Sequence, residues 1–284
     1  MKRLLQLLVC TLLLSPARAQ SKPAYVLYDA KGKKATYQKL LNVLAKKDIL
    51  LFGEFHNNPI SHWLELEVTK DCKQFRNLVL GAEMFERDNQ EPLTQYIQIQ
   101  LTDKQLDSAA RLWKNYATDY APLVNFARDH NIPFVATNVP RKYASLVAKE
   151  GFSGLDSLSP DEKKWIAPLP IAYDANLPGY KNMSKMMPGH GGANLPKAQA
   201  LKDATMAYSI LQNFKPGALF IHYNGSYHSD NHEGILWYLR QARPELRYVT
   251  ITTVSQKDIS KLADENIGKA DFIICVDEDM TTTY

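Results

Sequence analysis

The sequence predicts an α/β fold in which a mostly parallel central sheet is flanked by helices. Three short apolar runs, at 49–52, 78–80 and 219–221, are each followed by a glycine turn and then by helical periodicity. Short apolar runs of this kind are typical of parallel strands that are buried on both faces. Strands and helices then alternate along the chain, as they do in sheets built from β–α–β units.

The individual elements follow from the same patterns, taken in chain order. A strand at 24–29 precedes a helix at 36–47, whose apolar residues recur at helical spacing. After the strand at 49–52, Asn58 and Pro59 predict a helix start, because Asn caps a helix and Pro suits its first position. The remaining predicted elements are the rest of that helix to about 71, a strand at 78–84, a helical stretch at 90–127 broken near 118, a strand at 132–137, a helix from 140, a helix from 197 to about 216, a strand at 218–222, a helix at 234–241 and strands at 247–253 and 270–276.

The segment 151–196 differs in composition from the rest of the chain. It is rich in proline, glycine and methionine, with Tyr173, Tyr180 and His190 interspersed. This composition predicts a long loop or lid, inserted into a single domain at 20–284, rather than a core element. Its tyrosines and methionines suit closure over a large apolar ligand.

The first residues of the chain predict export. Lys2 and Arg3 precede an apolar stretch, and Ala17-Arg18-Ala19 is a small-x-small cleavage pattern. Residues 1–19 are therefore interpreted as a signal peptide for secretion. Cys10 follows large apolar residues rather than small ones, which disfavours anchoring as a lipoprotein.

Charge and motifs exclude several classes of protein. The chain has 34 Lys and Arg against 30 Asp and Glu, and removing Lys2, Arg3 and Arg18 with the signal peptide leaves 31 against 30. A near-neutral chain without a basic patch predicts no nucleic-acid binding. The sequence also contains no Gly-x-Ser-x-Gly elbow, Walker loop, dinucleotide-binding Gly-x-Gly-x-x-Gly or haem-attaching Cys-x-x-Cys-His.

Residues that carry chemistry follow three of the predicted strands. Glu54 and His56 follow the first buried strand, Glu83 lies at the end of the second, and His228 follows the strand at 218–222. Because ligand sites lie beyond the carboxyl ends of parallel strands, we expect these four side chains to share one cleft. Two carboxylates and two imidazoles suit a divalent metal such as Mn, Co or Zn, or acid–base catalysis. The structural alternative is that Glu54 and His56 cap the next helix while Glu83 forms an ion pair.

Four blocks in order resemble the ChaN family of haem-binding, iron-regulated bacterial envelope proteins, in the haem-uptake, Tiki and erythromycin-esterase-like superfamily. The blocks are LFGEFHNN at 51–58 followed by His62, GAEMF at 81–85, QALKDATMA at 199–207, and GSYH at 225–228 followed by HEGI at 232–235. The resemblance covers nearly the whole chain after the signal peptide. It implies an α/β fold and haem bound through a tyrosine between the subunits of a homodimer.

The predicted function is therefore that of an exported haem-binding protein in iron or haem acquisition, with an outer-membrane haem or iron uptake receptor as a partner. Related Tiki proteases and erythromycin esterases use the same Gly-x-x-His and Glu positions for hydrolysis, so a metal-dependent hydrolase is the alternative, and whether the chain is an enzyme stays open. The predicted haem-binding residues are His56, His62, His228, Tyr180, Tyr223 and Tyr227. The predicted metal ligands of the alternative are Glu54, His56, Glu83 and His228.

Overall fold

A computed structural model of the protein describes residues 22–186 and 192–284. The predicted signal peptide, Cys10 and His190 lie outside these residues. The strands are β1 (Tyr25–Asp29), β2 (Ile49–Glu54), β3 (Leu78–Glu86), β4 (Phe134–Asn138), β5 (Leu219–Gly225), β6 (Tyr248–Gln256) and β7 (Phe272–Asp277). The helices are α1 (Tyr37–Leu44), α2 (Pro59–Lys73), α3 (Gln90–Ile97), α4 (Asp103–Ala109), α5 (Ala121–Asp129), α6 (Arg141–Glu150), α7 (Pro160–Lys163), α8 (Pro178–Met186), α9 (Leu195–Asn213) and α10 (Ile235–Ala242).

The seven strands form one sheet in the order β1-β7-β6-β2-β5-β3-β4. Strand β1 runs antiparallel to β7, and every other neighbouring pair is parallel. The predicted fold, a mostly parallel sheet flanked by helices, is thus confirmed. Strands β2, β5 and β3 are neighbours, so their carboxyl ends lie side by side at one edge of the sheet.

Helices cover both faces of the sheet, which accounts for the continuous apolar runs. On one face, Leu50 and Phe52 belong to an apolar cluster with residues of α2 and α5. On the other face, Ile49 and Leu51 belong to a cluster with residues of α9 and α10. Successive residues of a strand point to opposite faces, so a strand covered on both sides buries every residue of its run.

Helix α2 begins where the sequence predicted. The Asn58 side chain accepts hydrogen bonds from the backbone N–H groups of Ile60, at 3.0 Å, and Ser61, at 3.1 Å, while Pro59 takes the first helical position. This cap satisfies N–H groups that have no partner within the helix. It also places His62 one turn into the helix, close to the end of β2.

The stretch 90–127 forms three helices rather than one broken helix. Helix α3 ends just before Ile99, which adopts a φ of +61°. A π-helical turn at Tyr116–Tyr120 then connects the segment after α4 to α5. The predicted break near 118 coincides with this turn, whereas no glycine or proline lies between 93 and 121 to mark the break at Ile99. The π-helical turn carries Tyr120 to the end of β2, where its hydroxyl donates a hydrogen bond to Glu54.

The segment 151–196 is inserted between α6 and α9, but the expectation that it contributes little to the core is wrong. Leu155, Ile166 and Ile171 pack with residues of α6 and α9 in one apolar cluster. Its helices are short, yet several of its apolar side chains are buried. Among the described residues, no helix combines the length and the apolar character needed to cross a membrane.

Candidate functional site

The carboxyl ends of β2, β5 and β3 bring the predicted polar side chains together. Glu54 and Gly225 are partners in the register of β2 and β5. Glu83 Oε2 accepts a hydrogen bond from the Gly225 backbone N–H at 2.8 Å, and Glu83 Oε1 lies 3.1 Å from His228 Nε2. The ends of three neighbouring strands are therefore joined by polar contacts.

Gly225 allows the two halves of this site to approach each other. An added Cβ at this position would lie 2.7 Å from His56 Nε2 and 3.5 Å from Glu83 Oε2. The φ of Gly225 is −53°, which any residue adopts, so glycine is required here for space rather than for backbone conformation. The structure thus brings Glu54, His56 and His228 to one cleft, with Glu83 in contact with His228 and Gly225 beside it.

The cleft is open to solvent and has a volume of about 540 Å³. Its lining combines a polar floor with an aromatic and apolar rim. The lining residues are Glu54, Phe55, His56, Asn57, Met183, Gln199, Gly225, Ser226, Tyr227, His228 and Tyr284. Met183 comes from α8, so the inserted segment does reach the cleft.

Glu54 is held by two histidines and a tyrosine. Its Oε1 lies 2.6 Å from His56 Nδ1 and 2.8 Å from the Tyr120 hydroxyl, and its Oε2 lies 3.0 Å from His62 Nδ1. Burial alone would raise the pKa of Glu54, but the contacts with His56 and His62 lower it to about 2. Burial likewise favours neutral imidazoles, yet the contact with Glu54 raises the pKa of His56, and contacts with Glu54 and Glu65 raise the pKa of His62 to about 11.

His228 is held between two carboxylates. Its Nδ1 lies 2.5 Å from Asp203 Oδ1, and its Nε2 lies 3.1 Å from Glu83 Oε1. Burial favours the neutral ring, but the two negative charges raise the pKa of His228 to about 9. In turn, His228 holds the pKa of Glu83 well below its usual value, although burial opposes this. At neutral pH the three groups form an ion triad, and neither nitrogen of His228 is free to accept a proton from a ligand.

The structure separates the predicted tyrosines. Tyr227 is 43% exposed at the rim of the cleft, and its hydroxyl donates a hydrogen bond to the backbone oxygen of Gly179 at 2.5 Å. Tyr180 is buried and donates to Asp203 Oδ2, while Tyr223 is fully buried with its hydroxyl bonded to a threonine of α2. Burial raises the pKa of both buried phenols. Neither residue is among those that line the cleft, and the contact of Tyr180 and Tyr223 with haem stays a prediction.

Several polar side chains around the site were missed by the sequence patterns. Glu65 on α2, Asp119 in the π-helical turn and Asp203 on α9 are all nearly fully buried. A signal existed for Glu65, because it lies three residues after His62 and such pairs share a helix face. His62 itself contacts Glu54 and is not among the residues that line the cleft, so its contact with haem stays a prediction.

One protein-family model matches the part of the chain that contains the candidate site. A sequence model described as haem-binding uptake, Tiki superfamily, ChaN matches residues 40–239, a range that contains every predicted site residue. Protein RETICULATA-RELATED 5, a chloroplastic protein of Arabidopsis thaliana, is 28% identical over 207 residues. The aligned region covers 66% of this chain but only 27% of that protein, so the chain spans about a quarter of the plant relative.

Two solved structures share the fold. The ChaN protein of Campylobacter jejuni, described as showing cofacial haem binding, is 16% identical, and the superposition covers 88% of this chain and 96% of that one with a TM-score of 0.66. A protein from Bacillus cereus is 10% identical, with 84% and 90% covered and a TM-score of 0.51. At these identities the likeness shows the arrangement of the α/β sheet and its helices.

Proposed function

Because the chain belongs to the ChaN family of haem-binding uptake proteins in the Tiki superfamily, we propose that it binds haem in the cleft at the carboxyl edge of the sheet. One observation carries this proposal: the two Gly-x-x-His turns, at 53–56 and 225–228, lie on different strands yet line the same cleft. Ligands of open α/β sheets bind at this edge.

The rim of the cleft suits a large flat ligand. Phe55, Met183, Tyr227 and Tyr284 lie around it, and the volume of about 540 Å³ falls within the range of roughly 300–1,000 Å³ that is typical of small-molecule sites. Methionine and aromatic side chains adapt well to planar apolar surfaces. The residues present therefore fit an iron porphyrin.

Tyr227 is the proposed axial ligand. Haem iron is ligated by tyrosine in some proteins, and Tyr227 is the one sequence-predicted tyrosine that lies at the rim. Burial, and then the charges of Asp203 and Glu233, raise the pKa of Tyr227, so its phenol is protonated at neutral pH and must lose that proton on coordination. His56 faces the cleft across Gly225, and its raised pKa favours a positive charge that complements the anionic propionates of haem.

The wider role belongs to the same proposal. The protein is exported to the periplasm or cell envelope, where it acts in iron or haem acquisition with an outer-membrane uptake receptor. The pattern of residues 1–19 supports export, and mass spectrometry of the exported protein should find a chain that begins at or near Gln20. An intact Met1 would contradict this.

A homodimer around the haem is also part of the proposal. The rim is open, with Tyr227 43% and Tyr284 68% exposed. A porphyrin at such a rim keeps one apolar face in water, and a second copy of the chain would cover that face. Sedimentation of the protein with and without hemin tests this, and a species that stays monomeric at saturating hemin would contradict it.

A hemin titration followed at the Soret band tests the binding proposal. The parent protein should shift the band, and Tyr227→Phe should change its position as well as weaken binding, because an iron ligand is lost. Tyr284→Phe, at the same rim, is compared in parallel. The matched control is Tyr25→Phe on the edge strand β1, which should bind hemin as the parent does.

Two results would contradict the haem proposal, one its axial ligand and the other haem binding itself. If Tyr227→Phe keeps the parent spectrum and affinity, Tyr227 is not the ligand; if the parent leaves the Soret band unshifted, the chain does not bind haem. The alternative, a metal-dependent hydrolase, receives no support from the comparisons. Hydrolysis that requires Mn, Co or Zn and is lost in His56→Ala would favour it.

A further inference from the structure

A second polar cluster is buried behind the cleft, between β2 and α2. The side chains of Glu54, His62 and Glu65 are 0%, 6% and 1% exposed. His62 Nδ1 lies 3.0 Å from Glu54 Oε2 and 3.4 Å from Glu65 Oε2. One donor atom of each residue lies within 4.8 Å of the other two. The proposed haem site uses neither His62 nor Glu65.

The hydrogen-bond partners of His62 Nε2 determine which groups can satisfy its Nδ1. Its Nε2 lies 3.1 Å from the backbone oxygen of His56 and 3.5 Å from Asp119 Oδ2. Both neighbours are acceptors, so Nε2 carries a hydrogen. Nδ1 then faces the two carboxylates of Glu54 and Glu65, which only accept when they are ionised. With both carboxylates ionised, a positive group, either a proton or a metal ion, must therefore lie between Nδ1 and the carboxylates. Without a metal ion, burial and the charge of Glu54 raise the pKa of Glu65 well above its usual value, which favours its protonated form.

A single proton leaves part of the cluster without a partner. A hydrogen on His62 Nδ1 points at only one carboxylate at a time. Glu54 Oε2 and Glu65 Oε1 are fully buried and accept no well-aligned hydrogen bond from any residue that the structure describes. Buried carboxylate oxygens without partners are unfavourable. A divalent cation, in contrast, bonds to both carboxylates and the imidazole at once.

We propose that Glu54, His62 and Glu65 bind a divalent transition-metal cation such as Zn²⁺ or Mn²⁺. Donor atoms bonded at about 2.0–2.2 Å to a tetrahedral ion lie roughly 3.3–3.6 Å apart. The separation of His62 Nδ1 from Glu65 Oε2, 3.4 Å, lies in this range, and that from Glu54 Oε2, 3.0 Å, is slightly shorter. Imidazole and carboxylate donors suit these ions. The contacts of Nε2 with the His56 carbonyl and Asp119 are of the kind that orient metal-bound histidines.

This centre is different from the metal site predicted from the sequence, with which it shares only Glu54. In that predicted set, each nitrogen of His228 faces a single carboxylate, from Asp203 or Glu83, so two protons satisfy the ring completely. Nδ1 of His62 instead faces two carboxylates, and one proton on Nδ1 does not satisfy both of them. The cluster behind the cleft is therefore better suited to hold an ion.

Titration of the chelator-treated, full-length protein with Co²⁺ tests this site, since the visible d–d absorption of Co²⁺ reports its coordination. We expect one Co²⁺ per chain, displaced by Zn²⁺. Glu65→Gln and His62→Gln should each weaken binding by about 100-fold, because even supporting groups of metal sites contribute 10–100-fold. The matched controls are Glu67→Gln on the same helix and His130→Gln on the surface, which should bind as the parent does.

Two results would overturn the proposal. One is the lack of stoichiometric Co²⁺ binding by the parent protein. The other is binding that survives in both Glu65→Gln and His62→Gln but is lost in His228→Gln, because the ion then lies in the cleft. Circular dichroism separates unfolding from loss of a ligand, and if His62→Gln does not fold, Glu65→Gln decides, since it changes charge with little change in shape. The titration contains no hemin, so its outcome is independent of the haem proposal.

Discussion

The ion triad of His228 with Glu83 and Asp203 should make the stability of the protein depend on pH in a defined window. The pKa of His228 is about 9 in the folded protein, against 6.5 for an ordinary histidine. A group whose pKa is raised by folding stabilises the protein fully below the unfolded pKa, and this stabilisation is lost as the pH rises through the folded pKa. For His228 the contribution is complete below pH 6.5 and is lost by about pH 9.

The magnitude follows from the same two pKa values. A difference of about 2.5, at about 1.4 kcal/mol for each pKa unit, corresponds to about 3 kcal/mol. His228 is only 5% exposed, so solvent screens little of this interaction. His62, with a pKa of about 11, also lowers stability as the pH rises. A comparison of the parent with His228→Gln removes this second contribution, because both proteins share it.

Urea unfolding of the parent and of His228→Gln, below pH 6.5 and near pH 9, measures the effect in the presence of a chelator. At the lower pH the variant should be less stable by about 3–5 kcal/mol, because Glu83 and Asp203 lose their buried partner. The gap between the two proteins should shrink by about 3 kcal/mol at the higher pH. A gap that stays constant over this range would refute the raised pKa of His228. His130→Gln, at an exposed position, should follow the parent throughout.

Three further substitutions test the packing around the site. Gly225→Ala should displace the His56 ring, lower the free energy of unfolding by about 1–3 kcal/mol and, by NMR titration, bring the pKa of His56 towards its ordinary value; an unchanged His56 pKa would contradict the crowding. Asn58→Ala removes the cap of α2 and should lower stability by about 1 kcal/mol in urea unfolding, and no loss would mean that the cap is dispensable. Gly234 has a φ of +53°, and an added Cβ would lie only 2.2 Å from the His228 carbonyl oxygen. Gly234→Ala should therefore lower the free energy of unfolding by more than the roughly 1–2 kcal/mol that left-handed strain alone costs. A thermal melting temperature equal to the parent's would contradict this geometry.

Patterns of adjacent residues predicted much of the fold. The buried strands β2 and β3 start at Ile49 and Leu78, as their apolar runs indicate, and α2 starts at the Asn58–Pro59 pair. These features depend on local chemistry, such as two-sided burial and helix capping. The break near 118 was predicted and coincides with the π-helical turn at Tyr116–Tyr120, but the break at Ile99 was not, because no glycine or proline marks it and Ile99 takes its positive φ in the folded chain.

The candidate site was predictable in part, for a similar reason. Glu54, His56, Glu83 and His228 follow strand ends, so a parallel sheet alone brings them to one edge. In the inserted segment, composition predicted the burial of side chains poorly. Its prolines and glycines indicated a loop, whereas Tyr180 is buried against α9 and donates a hydrogen bond to Asp203.

The sequence by itself determined the parallel sheet and the convergence of two glutamates and two histidines at its carboxyl edge, because both are consequences of strand pattern and strand direction. Only the tertiary structure decided that Tyr227 reaches the cleft while Tyr223 does not, and that Asp119 meets His62 behind Glu54. The physical reason is that the exposure and the partners of a side chain depend on the elements packed against it. In this protein, those elements come from parts of the chain far apart in sequence.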